Sequence, residues 1–453
     1  MAKVAVLGAG ITGLSCAMKL SEAGHDVTVL EKNNFVGGPA ASFKYKDFIL
    51  DYGPHKIFTQ MPEIQKEMLG LLGDNALAMP KKSKIHLFGK FFSYPVKFAE
   101  VFLNLGAWQC AKCLLSYTAS KLNPRPTEDN YESYLVNRFG KQIYGLLFES
   151  YAKKVWGSPQ LLSSELAKAR IVVPNLLSII TNAVFKTKTL SSDIIYYPKF
   201  GFGMMPEAIA GRVVKSSGKI LLGAKVKSIK KHDGKITEIE YLRNETVSTL
   251  KPDFVVSTIP INQLPSLFSA PDEFEKSAKE IRYQAMAIIY LFVNKDKVLD
   301  EHWIFFPESK FTFNRIAELK NFSPFIAPEG KTVLTLEITN PELINESDAV
   351  LTEACLKEFL ALGLLAKEDI YDTLFLRAKD AYPAYKKDFE VHLNKITAYL
   401  DGIGNFISTG RQGMFNYNNT DHCMDLGFKA ADCIINNKDW KQVRKGISYQ
   451  IID

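Results

Sequence analysis

No stretch of this 453-residue chain reaches the roughly 18 consecutive apolar residues that a membrane-crossing helix needs, so no transmembrane segment is expected. Cysteine is sparse. Cys16, Cys110, Cys113, Cys355, Cys423 and Cys433 are too scattered for a disulfide framework, which fits a reducing, cytoplasmic setting. Cys110-Ala-Lys-Cys113 has no second pair and lies in an apolar, helix-like stretch. It reads as two core thiols on adjacent turns, and no metal site is expected. Gly (28) and Pro (20) stay near average usage, which excludes collagen and long disordered tracts. There is no internal repeat. The charge excess is small, +7 with a pI near 8.8; it favours anionic small molecules or an anionic surface and carries no nucleic-acid signature. The densest basic run, Lys225–Lys231, alternates as a solvated edge strand does. No secretory leader is expected, because the apolar run Val4–Leu7 is short and leads straight into glycines. Val101–Tyr117 and Ile171–Phe185 are apolar enough for peripheral membrane contact, but buried helices are the expectation for both. Nothing here sets an oligomeric state.

What is present begins at the third residue. Lys3–Leu7 is a short apolar run, as in a strand buried on both faces of a parallel sheet. Gly8-Ala-Gly10-Ile-Thr-Gly13 follows, then a helical pattern with Leu14, Ala17 and Met18 on one face, closed by Gly24. Asp26–Leu30 reads as a second strand, ending at Glu31. Gly8 permits the tight turn, Gly10 lets backbone approach a pyrophosphate, and Gly13 allows close helix–strand packing. Glu31 stands where a carboxylate accepts from ribose hydroxyls. A lone glycine motif is weak evidence, but the strand, helix and acidic residue together define a dinucleotide-binding unit.

The residues after Glu31 decide which dinucleotide. Val36-Gly37-Gly38 is followed by Ala40-Ala41-Ser42-Phe43, a strand-like Phe48–Leu50, and Asp51-Tyr-Gly53-Pro54-His55. This order resembles the FAD flavoproteins that include amine oxidases, phytoene desaturases, protoporphyrinogen oxidases and UDP-galactopyranose mutases. Many amine oxidases carry arginine directly after the glycine pair; here it is Pro39, which steers the reading away from amine oxidation.

The resemblance implies an α/β fold with a Rossmann-like FAD-binding domain built from discontinuous segments, 1–75, 191–275 and 391–453. A helical insertion at 76–190 and a mixed or antiparallel sheet domain at 276–390 would complete it. The patterns agree with this division. The 76–190 stretch is mostly helical with an extended piece at Ile85–Phe92, and Tyr197-Pro198-Lys-Phe-Gly201-Phe-Gly203 breaks that pattern. Lys219–Ile229 and Ile236–Tyr241 alternate as a hairpin, and Asp253–Ile259 reads as a buried strand. Ala287–Val293 and Thr332–Ile338 are strands of the second sheet, and Gly404–Ile435 reads as strand, loop and helix with Asp421 as N-cap.

Four more segments are similar to the UDP-galactopyranose mutase and protoporphyrinogen-oxidase-like branch. They are Lys154-Val-Trp156-Gly-Ser-Pro159 with Arg170, Phe313-Asn-Arg315 with Asn321-Phe-Ser-Pro324, Ala381-Tyr382-Pro383, and Gly410-Arg411-Gln-Gly413 through Tyr417 to Asp421-His422. With the N-terminal motifs they span nearly the whole chain. The resemblance implies that Arg170 and Arg315 clamp a substrate pyrophosphate, as planar guanidinium forks do. Tyr382 and Tyr417 would donate hydroxyls to the same phosphates. His55 would sit at the flavin, Trp156 would wall the nucleotide site, and Tyr94 would open the segment that holds the base. Cofactor contacts would include Gly8, Gly10, Gly13, Glu31, Lys32, Gly37, Gly38, Pro39, Ala40, Val226, Gly410, Arg411, Asn419, Thr420 and Asp421, with Asn419 also near the sugar. His422 is expected to support the loop before the last helix. Outside these motifs Arg170 would read as a surface charge and Tyr382 or Tyr417 as an ordinary buried tyrosine.

Two departures fall at the nucleotide pocket. Eukaryotic-type mutases carry asparagine four residues before the tryptophan, where this chain has Ala152; Val96 and Lys97 replace an aromatic and an amide after Tyr94-Pro95. Another nucleotide or sugar therefore stays open. The first functional reading is a nucleotide-sugar pyranose–furanose mutase in which reduced flavin N5 attacks the anomeric carbon, with NAD(P)H one candidate reductant. The second is an FAD-dependent oxidase or desaturase of the protoporphyrinogen-oxidase kind, for which 30 Phe and 19 Tyr would suit a greasy pocket.

Overall fold

The computed structural model describes residues 1–94, 100, 104, 106–171 and 194–449. Five all-parallel strands form the first sheet, in the order Phe406–Ser408, Phe254–Ser257, Lys3–Leu7, Asp26–Leu30, Lys219–Leu221. Val4 to Leu7 are buried, as strands covered on both faces require. Helices Ile11–Glu22 and Thr420–Ile435 cross at close range, because Gly427 has no side chain: a Cβ there would lie 2.5 Å from the Thr12 carbonyl oxygen. The nucleotide sheet is thus assembled from widely separated segments.

The second sheet has seven strands, in the order Ile370–Pro383, Tyr283–Val293, Thr332–Ile338, Arg315–Glu318, Trp303–Phe305, Ser83–Leu87, Lys90–Ser93. It is antiparallel except where Trp303–Phe305 runs parallel to Ser83–Leu87. The last two strands come from the stretch expected to be mostly helical. Helices Ala107–Leu122, Tyr131–Tyr144, Ser150–Trp156 and Ser164–Arg170 follow in that stretch.

Three expectations need correction. The hairpin over Lys219–Tyr241 divides: Lys219–Leu221 joins the parallel sheet, Gly223 turns the chain at φ +68°, and Lys225–His232 pairs with Lys235–Arg243 in a separate three-stranded sheet. Lys225–His232 is an edge strand there, as its alternating lysines indicate. The helix expected to be buried within Val101–Tyr117 is instead largely exposed, with Cys113 its only buried residue over Ala107–Leu122; Cys110 is half-buried rather than a core thiol. Apolar content alone does not bury a helix whose neighbours contact only one face. Ile171 is the last described residue of the Ile171–Phe185 stretch; the rest of that stretch, with Pro95, Val96 and Lys97, lies outside the described residues.

Candidate active site

The glycine loop closes as its spacing predicts. Gly8 takes φ +103° and donates to the Leu30 carbonyl at 2.8 Å, while a Cβ on Gly13 would lie 2.0 Å from the Gly8 oxygen. A Cβ on Gly10 would meet no protein atom within 4 Å, so the loop leaves a backbone-lined cradle at the N-terminus of Ile11–Glu22. That end has no side-chain cap and no acidic residue in its first turn, which leaves its amides directed at an anion. Glu31 is buried; its Oε2 accepts from Ala9 N–H at 2.8 Å and its Oε1 from the Asn33 backbone at 2.9 Å.

The second glycine pair lies on this loop. Gly37 N–H donates to the Ala9 carbonyl at 2.7 Å, forming a parallel bridge between Gly10 and Gly37, and Gly37 and Gly38 both adopt positive φ. Pro39 and Ala40 continue as one turn of 3-10 helix, Pro39 exposed and Ala40 buried. Lys32 is exposed beyond Glu31, and Val226 lies two residues past Ala224, whose N–H donates to the Glu31 carbonyl at 2.7 Å. Gly410 returns the C-terminal segment to the same place: a Cβ there would stand 2.8 Å from Thr12 Oγ1.

A second cluster gathers three of the five proposed catalytic side chains, Arg170, Tyr382 and Tyr417, together with Arg411. Tyr382 and Tyr417 stack with ring centroids 6.2 Å apart. The Arg170 guanidinium lies 5.7 Å from the Tyr417 ring, and that of Arg411 lies 5.1 Å from Tyr382 and 5.8 Å from Tyr417. Arg411 donates to the Asn418 carbonyl at 2.9 Å and to the Ala381 carbonyl at 2.8 Å, so it braces the backbone beside both tyrosines. Tyr417 is buried and its hydroxyl has no hydrogen-bond partner among the described residues. Burial raises its pKa, so the hydroxyl keeps its proton and remains a donor.

Arg315 enters from the sheet. It sits directly across from Glu337 on the next strand and bonds both carboxylate oxygens, with Nε–Oε1 3.0 Å and Nη2–Oε2 2.8 Å. Burial works against its charge, but Glu337 and the tyrosine Tyr382 outweigh it and hold the guanidinium firmly protonated. On the other side it faces its cross-strand partner Phe305, 5.8 Å from the ring. From Phe305 an aromatic wall continues through Tyr94 (4.6 Å) and Tyr151 (6.4 Å) to Trp156, 5.7 Å from Tyr151. Ala152, at a departure noted in the sequence, is fully buried.

His55 stands on the turn beneath Arg315. A Cβ on Gly53, two residues earlier, would lie 3.3 Å from Glu337 Oε1. His55 Nδ1 donates to the Gly53 carbonyl at 2.9 Å and the ring stacks on Phe202 at 4.9 Å. Burial, with Arg315 and Arg411 nearby, lowers its pKa to about 4 despite that hydrogen bond. The imidazole is neutral at pH 7, with Nε2 as an acceptor. The turn is anchored by buried Asp51, which accepts from Ser42 and Tyr197 hydroxyls at 2.5 Å and from Phe202 N–H at 3.0 Å.

The last long helix corrects one assignment. Asn419, not Asp421, is its N-cap: the Asn419 side chain accepts from the His422 backbone while His422 Nδ1 accepts from Asn419 N–H at 3.2 Å. His422 therefore supports the loop, as expected. Thr420 and Asp421 open the first turn, and Asp421 is buried. A cleft of about 390 Å³ lies between this end and Thr59, Gln60 and Tyr449, apart from the arginine–tyrosine cluster.

Sequence reasoning missed Glu337. Its signal was present: it is the only charged residue in the apolar strand Thr332–Ile338, and a carboxylate in a fully buried strand needs a cation. Among the described residues no group of three or more His, Cys, Asp or Glu is placed to hold a metal ion.

A parallel sheet with a glycine cradle, a second glycine pair resting on it and a C-terminal helix returning to the loop defines a dinucleotide-binding flavoenzyme. The sequence of residues 11–379 matches the model for flavin containing amine oxidoreductases, and the chain belongs to that family. It is an FAD-dependent enzyme of the flavin containing amine oxidoreductase family. Its fold is similar to that of a reduced UDP-galactopyranose mutase, with TM-score 0.82, 23% identity, and coverage of 96% of this chain and 94% of that one. It is also similar to a structure from Exiguobacterium sp. 255-15 assigned provisionally as a protoporphyrinogen oxidase, with TM-score 0.74, 16% identity, and 96% and 99% coverage. A 4,4'-diapophytoene desaturase (4,4'-diaponeurosporene-forming) from Staphylococcus aureus (strain MRSA252) is 42% identical over 73 residues, 16% of this chain and 14% of that protein's length. The cradle suits FAD, since Gly10 leaves open the space where a Cβ would project and the helix amides suit a pyrophosphate.

Proposed function

We propose that this chain is a nucleotide-sugar pyranose–furanose mutase similar to UDP-galactopyranose mutase. The observation that carries the reading is the buried Tyr417 hydroxyl, without a protein acceptor among the described residues and set beside the Arg170 and Arg411 guanidiniums. A buried donor among cations suits an anionic oxygen, and a diphosphate supplies several.

Gly8, Gly10, Gly13 and the amides of Ile11–Glu22 would hold the FAD pyrophosphate, and Glu31 the ribose. FAD, when bound in its reduced form, would supply the nucleophile for the anomeric carbon. The protein's own residues would stabilise the departing diphosphate. Arg170 and Arg315 place charge beside it, Tyr382 and Tyr417 donate hydroxyls, and Arg411 fixes the spacing of the two tyrosines. Arg315 acts from a rigid strand, because Glu337 fixes its fork before substrate arrives. Neutral His55 offers Nε2 as an acceptor without adding a cation, and Trp156, Tyr151 and Phe305 keep the bond-breaking region dry.

The test is incubation of the dithionite-reduced protein under nitrogen with UDP-galactopyranose and other nucleotide sugars, followed by chromatography for the furanose isomer. An isomer with any of them supports the proposal. None, together with stoichiometric oxygen consumption on a porphyrinogen, replaces it with the oxidase reading.

A further inference from the structure

The helix Ala107–Leu122 turns its apolar side outward. Its inner side is held against Tyr131–Tyr144: Cys113 is buried, Gln142 N–H donates to Ser116 Oγ at 3.1 Å, and a Cβ on Gly140 would lie 2.7 Å from Tyr117 N. The outer side carries Trp108, Leu115 and Leu122 at seven-residue intervals, 74%, 69% and 87% exposed, with Ala111 and Ala119 between them. That interval returns to one face of an α-helix, so the three form a single stripe. An apolar stripe of this length facing water is unfavourable unless something covers it.

The charge on the helix itself is of one sign; Glu100, whose carboxylate accepts from Ser93 N–H at 3.3 Å, is the acidic neighbour at the second element. Ala107–Leu122 contains no Asp or Glu, and Lys112 and Lys121 flank the stripe, with Lys112 Nζ 5.2 Å from the Trp108 ring and Lys121 Nζ 5.4 Å from the Tyr117 ring. A second element adds to the surface. The turn between Ser83–Leu87 and Lys90–Ser93 exposes Phe88 and Phe91, and Lys90 Nζ donates to Asn104 Oδ1 at 3.1 Å, just before the helix. A second copy of the chain across a two-fold axis would bring like-charged lysines together. A bilayer surface with anionic headgroups accepts both parts, apolar side chains into the acyl boundary and ammonium groups at the phosphates. No helix among the described residues is long and apolar enough to cross a membrane, so the contact lies in the plane of the surface.

We propose that Ala107–Leu122, together with the Phe88–Phe91 turn, docks this enzyme peripherally on an anionic lipid surface. The inference is independent of which substrate the active site takes. It is tested with the flavin-loaded full chain, sedimented with vesicles of phosphatidylcholine alone or mixed with phosphatidylglycerol. The protein should partition onto the mixed vesicles, less so as salt rises, and little onto the neutral ones. Replacing Trp108, Leu115 and Leu122 by Ser should lower that partition by about tenfold or more, with melting temperature and flavin content unchanged. Lys112→Glu with Lys121→Glu should remove the preference for anionic vesicles. Absence of wild-type binding, or equal binding by the triple variant, overturns the proposal. A wild-type dimer that the triple variant converts to monomer, without vesicle binding, overturns it in favour of a second copy of this chain.

Discussion

Arg315 and Glu337 face each other across adjacent antiparallel strands and share three hydrogen bonds between 2.8 and 3.0 Å, with Glu337 only 1% exposed. The pair makes Arg315 a fixed cation rather than a mobile one. It also makes the two residues unequal under mutation. Arg315→Ala should keep the flavin yet weaken nucleotide-sugar binding by about 2–5 kcal/mol, read by titration calorimetry. The same variant should lose about 3–5 kcal/mol of stability in denaturant, because it strands a buried carboxylate. Unchanged affinity would remove Arg315 from the substrate site.

Tyr417→Phe should separate stability from binding. It deletes a buried hydroxyl that has no protein partner among the described residues, so the ligand-free protein should gain about 1–3 kcal/mol. Nucleotide-sugar affinity should fall by about 1.5–3 kcal/mol, the range for a hydrogen bond to a charged group. A variant that loses stability and binds as well as wild type would count against the hydroxyl as a ligand donor.

Gly10→Val places a side chain where a Cβ meets no protein atom, so the fold should survive. The purified protein should lack the yellow flavin spectrum while its circular dichroism matches wild type. Full flavin occupancy would refute the cradle.

His55 links stability to acidity. Its folded-state pKa, near 4, lies below the ordinary value of 6.5, so the unfolded chain takes up a proton first as pH falls. The stability it contributes is complete above pH 6.5 and is lost toward pH 4, by about 1–3 kcal/mol. Denaturant midpoints of wild type and His55→Asn, compared at intervals over that range, should converge at the acid end; parallel curves would show that His55 is not held neutral.

Much of the nucleotide fold was legible because its signals are local. Strands Lys3–Leu7 and Asp26–Leu30 lie where the apolar runs do, since Val4–Leu7 is buried on two faces, Val27, Val29 and Leu30 are buried in the second strand, and the runs are stopped by glycine or a charged residue. Glu337 escaped notice because its partner is not close in the chain; only the strand register brings Arg315 opposite it. The N-cap was misplaced by two residues because Asn419, Thr420 and Asp421 are all good capping types, and the choice depends on the reciprocal bond with His422. The exposed helix Ala107–Leu122 was misjudged because hydrophobicity does not say which neighbour is present.

The parallel sheet has a consequence for biosynthesis. Its central strand Lys3–Leu7 is made first, but Phe254–Ser257 and then Phe406–Ser408 must add to its flank, and Thr420–Ile435 must seat against Thr12. A ribosome therefore extrudes the glycine loop long before the elements that enclose it exist. Cofactor capture becomes a late event in the life of the polypeptide, and nascent chains halted before Thr420–Ile435 should carry no flavin even though every residue of the loop is already outside the tunnel.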